Sequence, residues 1–184
     1  IFNSGAQGGI GLMLLAAQKP LELLGSVRTF REQAGTAARK TPFYHWLLSS
    51  GETPDQLLVR LSDPWAGDAD LGRLMVHGVL RSRGASLPID GGIWEKSLES
   101  DYWRDHVHGF LWLRNLRASG GDAARKLARS LVADWIENYD RWDALSWRAD
   151  VMGSRIAMWL SFYDFFCGSA DEDIQKTYFA SLNP

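Results

Sequence analysis

The 184 residues carry 20 Lys and Arg against 22 Asp and Glu, a formal net charge of -2. No global basic field results, so non-specific binding to nucleic acid through its phosphates is not expected. At 46% apolar and 23% charged residues the chain can bury a real core; no apolar run reaches the length of a membrane span, and the N-terminus lacks the basic-then-apolar order of a signal peptide. The single Cys167 excludes an intramolecular disulfide and reads as a small core residue beside Phe165 and Phe166. Nine Trp is an unusual number, and Trp often marks places where flat apolar faces are recognised.

Taken in chain order, residues 1–50 open on the Gly-rich N-S-G-A-Q-G-G-I-G and continue with good helix formers from Leu12 to Arg39, so a helical segment interrupted at Pro20 and Gly25 is expected. Residues 51–101 are dense in turn signals, among them Thr53-Pro54-Asp55, Asp63-Pro64 and Gly91-Gly92. They read as an extended arm lying on something else, with short strands at Val79 to Ser82 and Ser86 to Ile89 joined at Gly84 as a hairpin. From residue 102 onward the periodicity turns helical. One stripe runs from Trp103 through Leu116 to Gly120-Gly121, where a C-terminal cap is expected. Asp122, Asp150 and Asp171 stand where N-caps would start three further helices. In the first of these Leu127, Leu131, Val132, Trp135 and Ile136 share one face, while Arg125, Lys126 and Arg129 face water. Short loops between such helices give antiparallel hairpins, as in a bundle or an α/α toroid. The chain starts at Ile1 and stops at Pro184 just after a helical pattern, so both ends are expected to be cuts from a longer protein.

Few catalytic constellations survive inspection. The Gly-rich start lacks a following Gly-Lys-Ser/Thr and the dinucleotide spacing, which removes nucleotide binding. In Asp105-His106-Val107-His108 the two imidazoles point about 200° apart on a helix, so they cannot share a metal; only Asp105 and His108 share a face. No Ser-nucleophile elbow occurs. The carboxylates at Asp68, Asp70 and Asp171 to Asp173 read as turn and cap residues in water. What remains is W-D-A-L-S-W-R-A-D-V-M-G-S-R-I-A-M-W, residues 142–159. Arg155 there sits at the edge of an apolar stripe and must find an anion, an aromatic face or a carbonyl. Pairing with Asp143 or Asp150 inside the fold and service in a ligand cleft are both open.

The ordered pieces T-P-F-Y-H-W, D-P-W-A-G-D-A-D-L-G-R, H-G-F-L-W-L-R-N-L-R-A-S-G-G-D-A-A-R, L-V-A-D-W-I and W-R-A-D-V-M-G-S-R-I-A-M-W-L together resemble the N-terminal domain of bacterial heparinase II/III family proteins, over residues 41–182. The resemblance implies a mainly α fold, an incomplete α/α toroid over residues 102–184 preceded by the arm, with a C-terminal β-sandwich as partner domain beyond the chain. It implies a polysaccharide lyase that cleaves acidic, uronate-containing glycans by β-elimination without a cofactor or metal, in the periplasm or cell envelope. The family's catalytic residues fall beyond residue 184, and Asn183, followed by Pro184, takes no catalytic role. Matching the pattern position by position makes His108, Trp112, Trp147, Arg155 and Trp159 the candidate substrate-binding residues, with Trp faces for sugar rings and Arg for carboxylate or sulfate. The alternatives are a non-catalytic helical module that binds glycan or protein, and a hydrolase if Asp143 and Asp150 face each other across a pocket.

Overall fold

The computed structural model describes residues 41, 54 and 56–182; apart from Thr41 these belong to one compact unit, His45–Pro184. The helical segment expected over residues 1–50 lies outside the described residues except for Thr41, as does Asn183. Among the described residues the order is α1 (Ala69–Val76), β1 (Val79–Ser82), β2 (Ala85–Pro88), α2 (Ile93–Ser97), α3 (Asp101–His108), α4 (Leu113–Ser119), α5 (Gly121–Tyr139), α6 (Ala149–Phe166) and α7 (Glu172–Ser181). The fold is therefore mainly helical with one small antiparallel sheet.

The stretch expected to be an extended arm, residues 51–101, contains two helices, α1 and α2. Asp68, read as a turn residue, caps α1 by accepting from the N–H groups of Asp70 and Leu71 at 2.8 and 3.1 Å, the standard repair of a helix's unpaired first-turn donors. α1 packs hard on α4. A Cβ added to Gly72 would lie 2.1 Å from the Asn115 carbonyl oxygen, and one added to Gly67 would lie 2.0 Å from that of Arg114. Asn115 Oδ1 in turn accepts from the Asp68 N–H at 2.9 Å. The hairpin expected at Gly84 is present, its second strand running Ala85–Pro88 rather than Ser86 to Ile89, with Val79 opposite Pro88 and Ser82 opposite Ala85. Its two loop residues, Arg83 and Gly84, have φ of 48° and 80°, the type I′ geometry that matches strand twist.

The single stripe expected from Trp103 to Leu116 is two helices. α3 ends at Gly109, and Phe110 takes φ 58°, a left-handed conformation that a bulky residue adopts only when its surroundings hold it there. Phe110 is wholly buried, with ring centroids 5.0 Å from Trp112, 5.1 Å from Trp159, 5.8 Å from Trp94 and 6.1 Å from Trp135. Bending the chain here turns the ring into the centre of the core. Each buried indole removes enough surface from water to stabilise the fold by roughly 4–6 kcal/mol as an upper figure.

α5, α6 and α7 form successive antiparallel hairpins. Arg129 near the middle of α5 donates to the Phe166 carbonyl at the end of α6 at 2.9 Å, while Trp147 before α6 donates to the Tyr139 carbonyl at the end of α5 at 2.9 Å. On the next pair, Tyr178 of α7 packs on Trp159 at 5.8 Å and Tyr163 hydroxyl reaches Gln175 at 3.4 Å. Caps differ from expectation at two of the three Asp positions. α5 is entered through Gly120, at φ 65°, and Asp122 instead pairs with Lys126 at 2.8 Å. α6 begins after Arg148, whose guanidinium Nε donates to Asp150 at 2.7 Å. Asp171 does occupy the N-cap position of α7.

Candidate functional site

Four of the five candidate residues converge on the middle of the hairpin formed by α5 and α6. His108, on the last turn of α3, has no exposed surface. Trp135 Nε1, which can only donate, bonds His108 Nδ1 at 3.1 Å, and the other ring nitrogen lies 3.2 Å from the Trp94 carbonyl oxygen. Since Nδ1 must accept, the neutral imidazole carries its proton on Nε2 and donates it to that carbonyl. Burial, chiefly, pushes the His108 pKa down to about 4, the Trp94 carbonyl opposing and Arg155 adding to the shift. At neutral pH the ring is a rigid two-ended strut and a poor general base.

Arg155 lies beside it, 3% exposed. Its guanidinium carbon stands 3.9 Å from the Trp135 ring centroid and 5.2 Å from that of Trp147, and Nη1 donates to the Ser146 carbonyl at 3.0 Å. Burial holds its pKa down to about 9, so the group is still charged at neutral pH. Neither of the carboxylates considered in the sequence takes it. Asp150 is held by Arg148. Asp143 folds its own loop, accepting from the N–H groups of Leu145 and Ser146 at 2.9 and 2.8 Å. Burial raises the Asp143 pKa, and these hydrogen bonds outweigh it to leave a net lowering. The cation is therefore satisfied by two indole faces and a carbonyl, an arrangement worth about 2 kcal/mol when desolvated.

The remaining candidates complete the same wall. Trp112, 1% exposed, donates its indole N–H to the Val107 carbonyl at 3.1 Å. Trp159, 2% exposed, stands edge-on to Trp135 at 5.6 Å, and its Nε1 has no hydrogen-bond partner. Trp147 is half-buried, tilted against Trp135 at 6.2 Å. The structure thus joins His108, Trp147, Arg155 and Trp159 through Trp135, with Trp112 behind Phe110; all but Trp147 are buried. Asp105 and His108, which share a helix face, do not share a site: Asp105 pairs with Arg104 at 3.2 Å and Arg148 at 3.1 Å. Among the described residues no three His, Cys, Asp or Glu side chains converge as metal ligands.

Trp135 is the residue that sequence reasoning placed only in a packing stripe, although it touches most of the site. Its signal was present in the shared face with Leu131 and Val132, but the partner 20 positions away on another helix is not visible in spacing. A second feature also went unnoticed. Arg117 and Arg125 face a groove at the C-terminal end of α6, lined by Phe162 and Phe165. Arg129, expected to face water, is instead engaged with the Phe166 carbonyl and with Ser169 Oγ at 3.2 Å.

The described unit is thus a mainly helical body whose most conspicuous polar residues are used internally. No family model matches the chain, and no solved structure matches it. The FtsZ-localized protein C of Caulobacter vibrioides (strain NA1000 / CB15N) is 31% identical to it over 105 residues, a match that takes in 56% of this chain and 18% of that protein. The chain spans less than a fifth of the length of the curated relative it matches. This similarity overturns the expectation of a polysaccharide lyase acting on acidic glycans, because the relative is named for its place with FtsZ and not for glycan cleavage. The heparinase II/III resemblance finds no support in these comparisons.

Proposed function

We propose that the chain is a non-enzymatic, helical docking segment of a protein that works at the cell-division site. The observation that carries this reading is the similarity to FtsZ-localized protein C. The geometry supports it in two ways. The candidate residues pack on one another in an aromatic core around Trp135, which gives a stiff body. The surface of that body keeps grooves and exposed apolar side chains, including Leu58 and Trp65, of the kind that mark protein contacts. No described helix is long and apolar enough to cross a membrane. The successive antiparallel hairpins of α5, α6 and α7 support a finer architectural proposal, that they are the first hairpins of an α/α toroid.

The test is placement in the cell. A fluorescent fusion of the whole chain, expressed in Caulobacter vibrioides beside labelled FtsZ, forms a band coincident with the FtsZ signal. A signal spread evenly through the cell contradicts the proposal.

A further inference from the structure

A groove of about 510 Å³ opens where the C-terminal end of α6 meets the connection between α4 and α5. Arg117, from the last turn of α4, and Arg125, from the second turn of α5, stand in its walls with the rings of Phe162 and Phe165 and the hydroxyls of Ser161 and Ser169. The charges here do not cancel. Asp164 is the carboxylate in the lining, and it is taken by Arg60 at 2.9 Å. Arg125 makes a long ion pair with Asp122 at 3.9 Å, the other carboxylate oxygen of which Lys126 holds at 2.8 Å. Arg117 stands 5.7 Å from the Phe165 ring centroid and joins no ion pair among the described residues. Two guanidiniums thus face the groove against one lining carboxylate, Asp164, which is itself paired with Arg60. Ser169 Oγ accepts from Arg129, which leaves its own proton free to donate.

The apolar side of the groove continues outward. Because Arg60 grips Asp164, the stretch around it runs beside the groove, and there Leu58, Val59 and Leu61 are 88%, 72% and 47% exposed. A bare anion could use the guanidiniums but would gain nothing from Phe162, Phe165 or these neighbours. An anionic membrane would need a larger basic patch than two Arg on a chain of net charge -2. A peptide that alternates carboxylates with apolar side chains uses every part: bidentate pairing at the guanidiniums, hydroxyl donation from serine, and ring faces for an apolar residue.

We infer that this groove binds an acidic, apolar-interleaved peptide segment of a partner protein, with its carboxylates on Arg117 and Arg125 and an apolar side chain between Phe162 and Phe165. The inference rests on the docking reading above and supplies the chemistry of the partner.

The probe is a dye-labelled, end-blocked heptapeptide alternating Asp with Leu, followed by fluorescence anisotropy against the whole chain. The same peptide with Lys for Asp, inorganic phosphate as competitor, and phosphatidylglycerol vesicles complete the set. The Asp peptide binds and the Lys peptide does not; the double variant Arg117→Glu/Arg125→Glu weakens binding by about tenfold or more, while Lys176→Glu on α7 leaves it within about twofold. Both arginines reach the surface, so circular dichroism of the double variant should match the parent. Equal binding of the two peptides, full binding by the folded double variant, displacement by phosphate at the peptide's own concentration, or binding to vesicles without binding to peptide would each overturn the inference. The two readings fail separately. A mid-cell band without peptide binding removes the groove and keeps the docking segment, whereas peptide binding with a diffuse fusion removes the division site and keeps the groove.

Discussion

His106 and His108 show at the level of single side chains how the core was built from polar residues. His106 stacks on Tyr102 at 5.8 Å with its Nε2 unpartnered, and burial, followed by the charges of Arg114 and Arg83, pushes its pKa down to about 4. His108 is held at about 4 as well. Both folded values lie below the ordinary 6.5, so between pH 6.5 and 4 the unfolded chain binds protons that the fold refuses. Stability is then fully present above about pH 6.5 and declines as the pH falls toward 4, by on the order of 3 kcal/mol for each group. Urea unfolding across that range should show the decline, and His106→Phe should remove about half of it; an unchanged slope in the variant would mean that carboxylates carry the acid sensitivity.

Arg155 makes a sharper distinction at the same scale. If its role is to fill the space between Trp135 and Trp147, then Arg155→Met keeps the filling and loses the bond to the Ser146 carbonyl and the cation's attraction to the indoles, about 2 kcal/mol together. Arg155→Ala adds a cavity and loses about 3–5 kcal/mol. Equal losses in denaturant titrations would mean that the charge, not the volume, is what the core requires. Sequence reasoning recognised that this arginine needed an anion, an aromatic face or a carbonyl, and the fold supplies the last two. Which of the three it took depended on Trp135, whose approach is set by how α5 crosses α6 and leaves no mark in local spacing.

Among the elements, the hairpin's second strand begins one residue before the expected Ser86 because Arg83 also takes positive φ, while the hairpin itself was legible because Gly84 accepts the positive φ of its turn. α1 was not, because Asp68 resembles a turn residue and Gly72 weakens the helical pattern it starts. That glycine is needed for contact rather than for flexibility: its missing Cβ lets the Asn115 carbonyl come against α1. Gly72→Ala should therefore force α1 off α4 and destabilise the protein by about 3 kcal/mol or more, measured by thermal unfolding. A loss near zero would show that the α1–α4 contact is loose. The division of the expected long helix into α3 and α4 was hidden for a related reason. Only the pull of four aromatic neighbours justifies a left-handed Phe110, and three of them, Trp94, Trp135 and Trp159, come from other parts of the chain.

For the molecule as a whole, the abundance of Trp suggested sugar-stacking surfaces, and the fold uses most of those rings to cover one another. Composition revealed an aromatic-rich body correctly but could not tell an inward-facing ring from an outward-facing one, since both obey the same helical period. The side chains left outside, Arg117 and Arg125 with the apolar stretch near Arg60, are individually ordinary in sequence and acquire meaning only when α4, α5 and α6 bring them together. A docking segment of this kind should follow its partner assembly rather than a fixed place in the cell. The most direct measurement is the position of the fluorescent chain in Caulobacter vibrioides before and after FtsZ is depleted. The band is expected at the division site while FtsZ is present and should disperse as FtsZ is lost; a signal diffuse from the start, or a band that persists without FtsZ, would contradict the account.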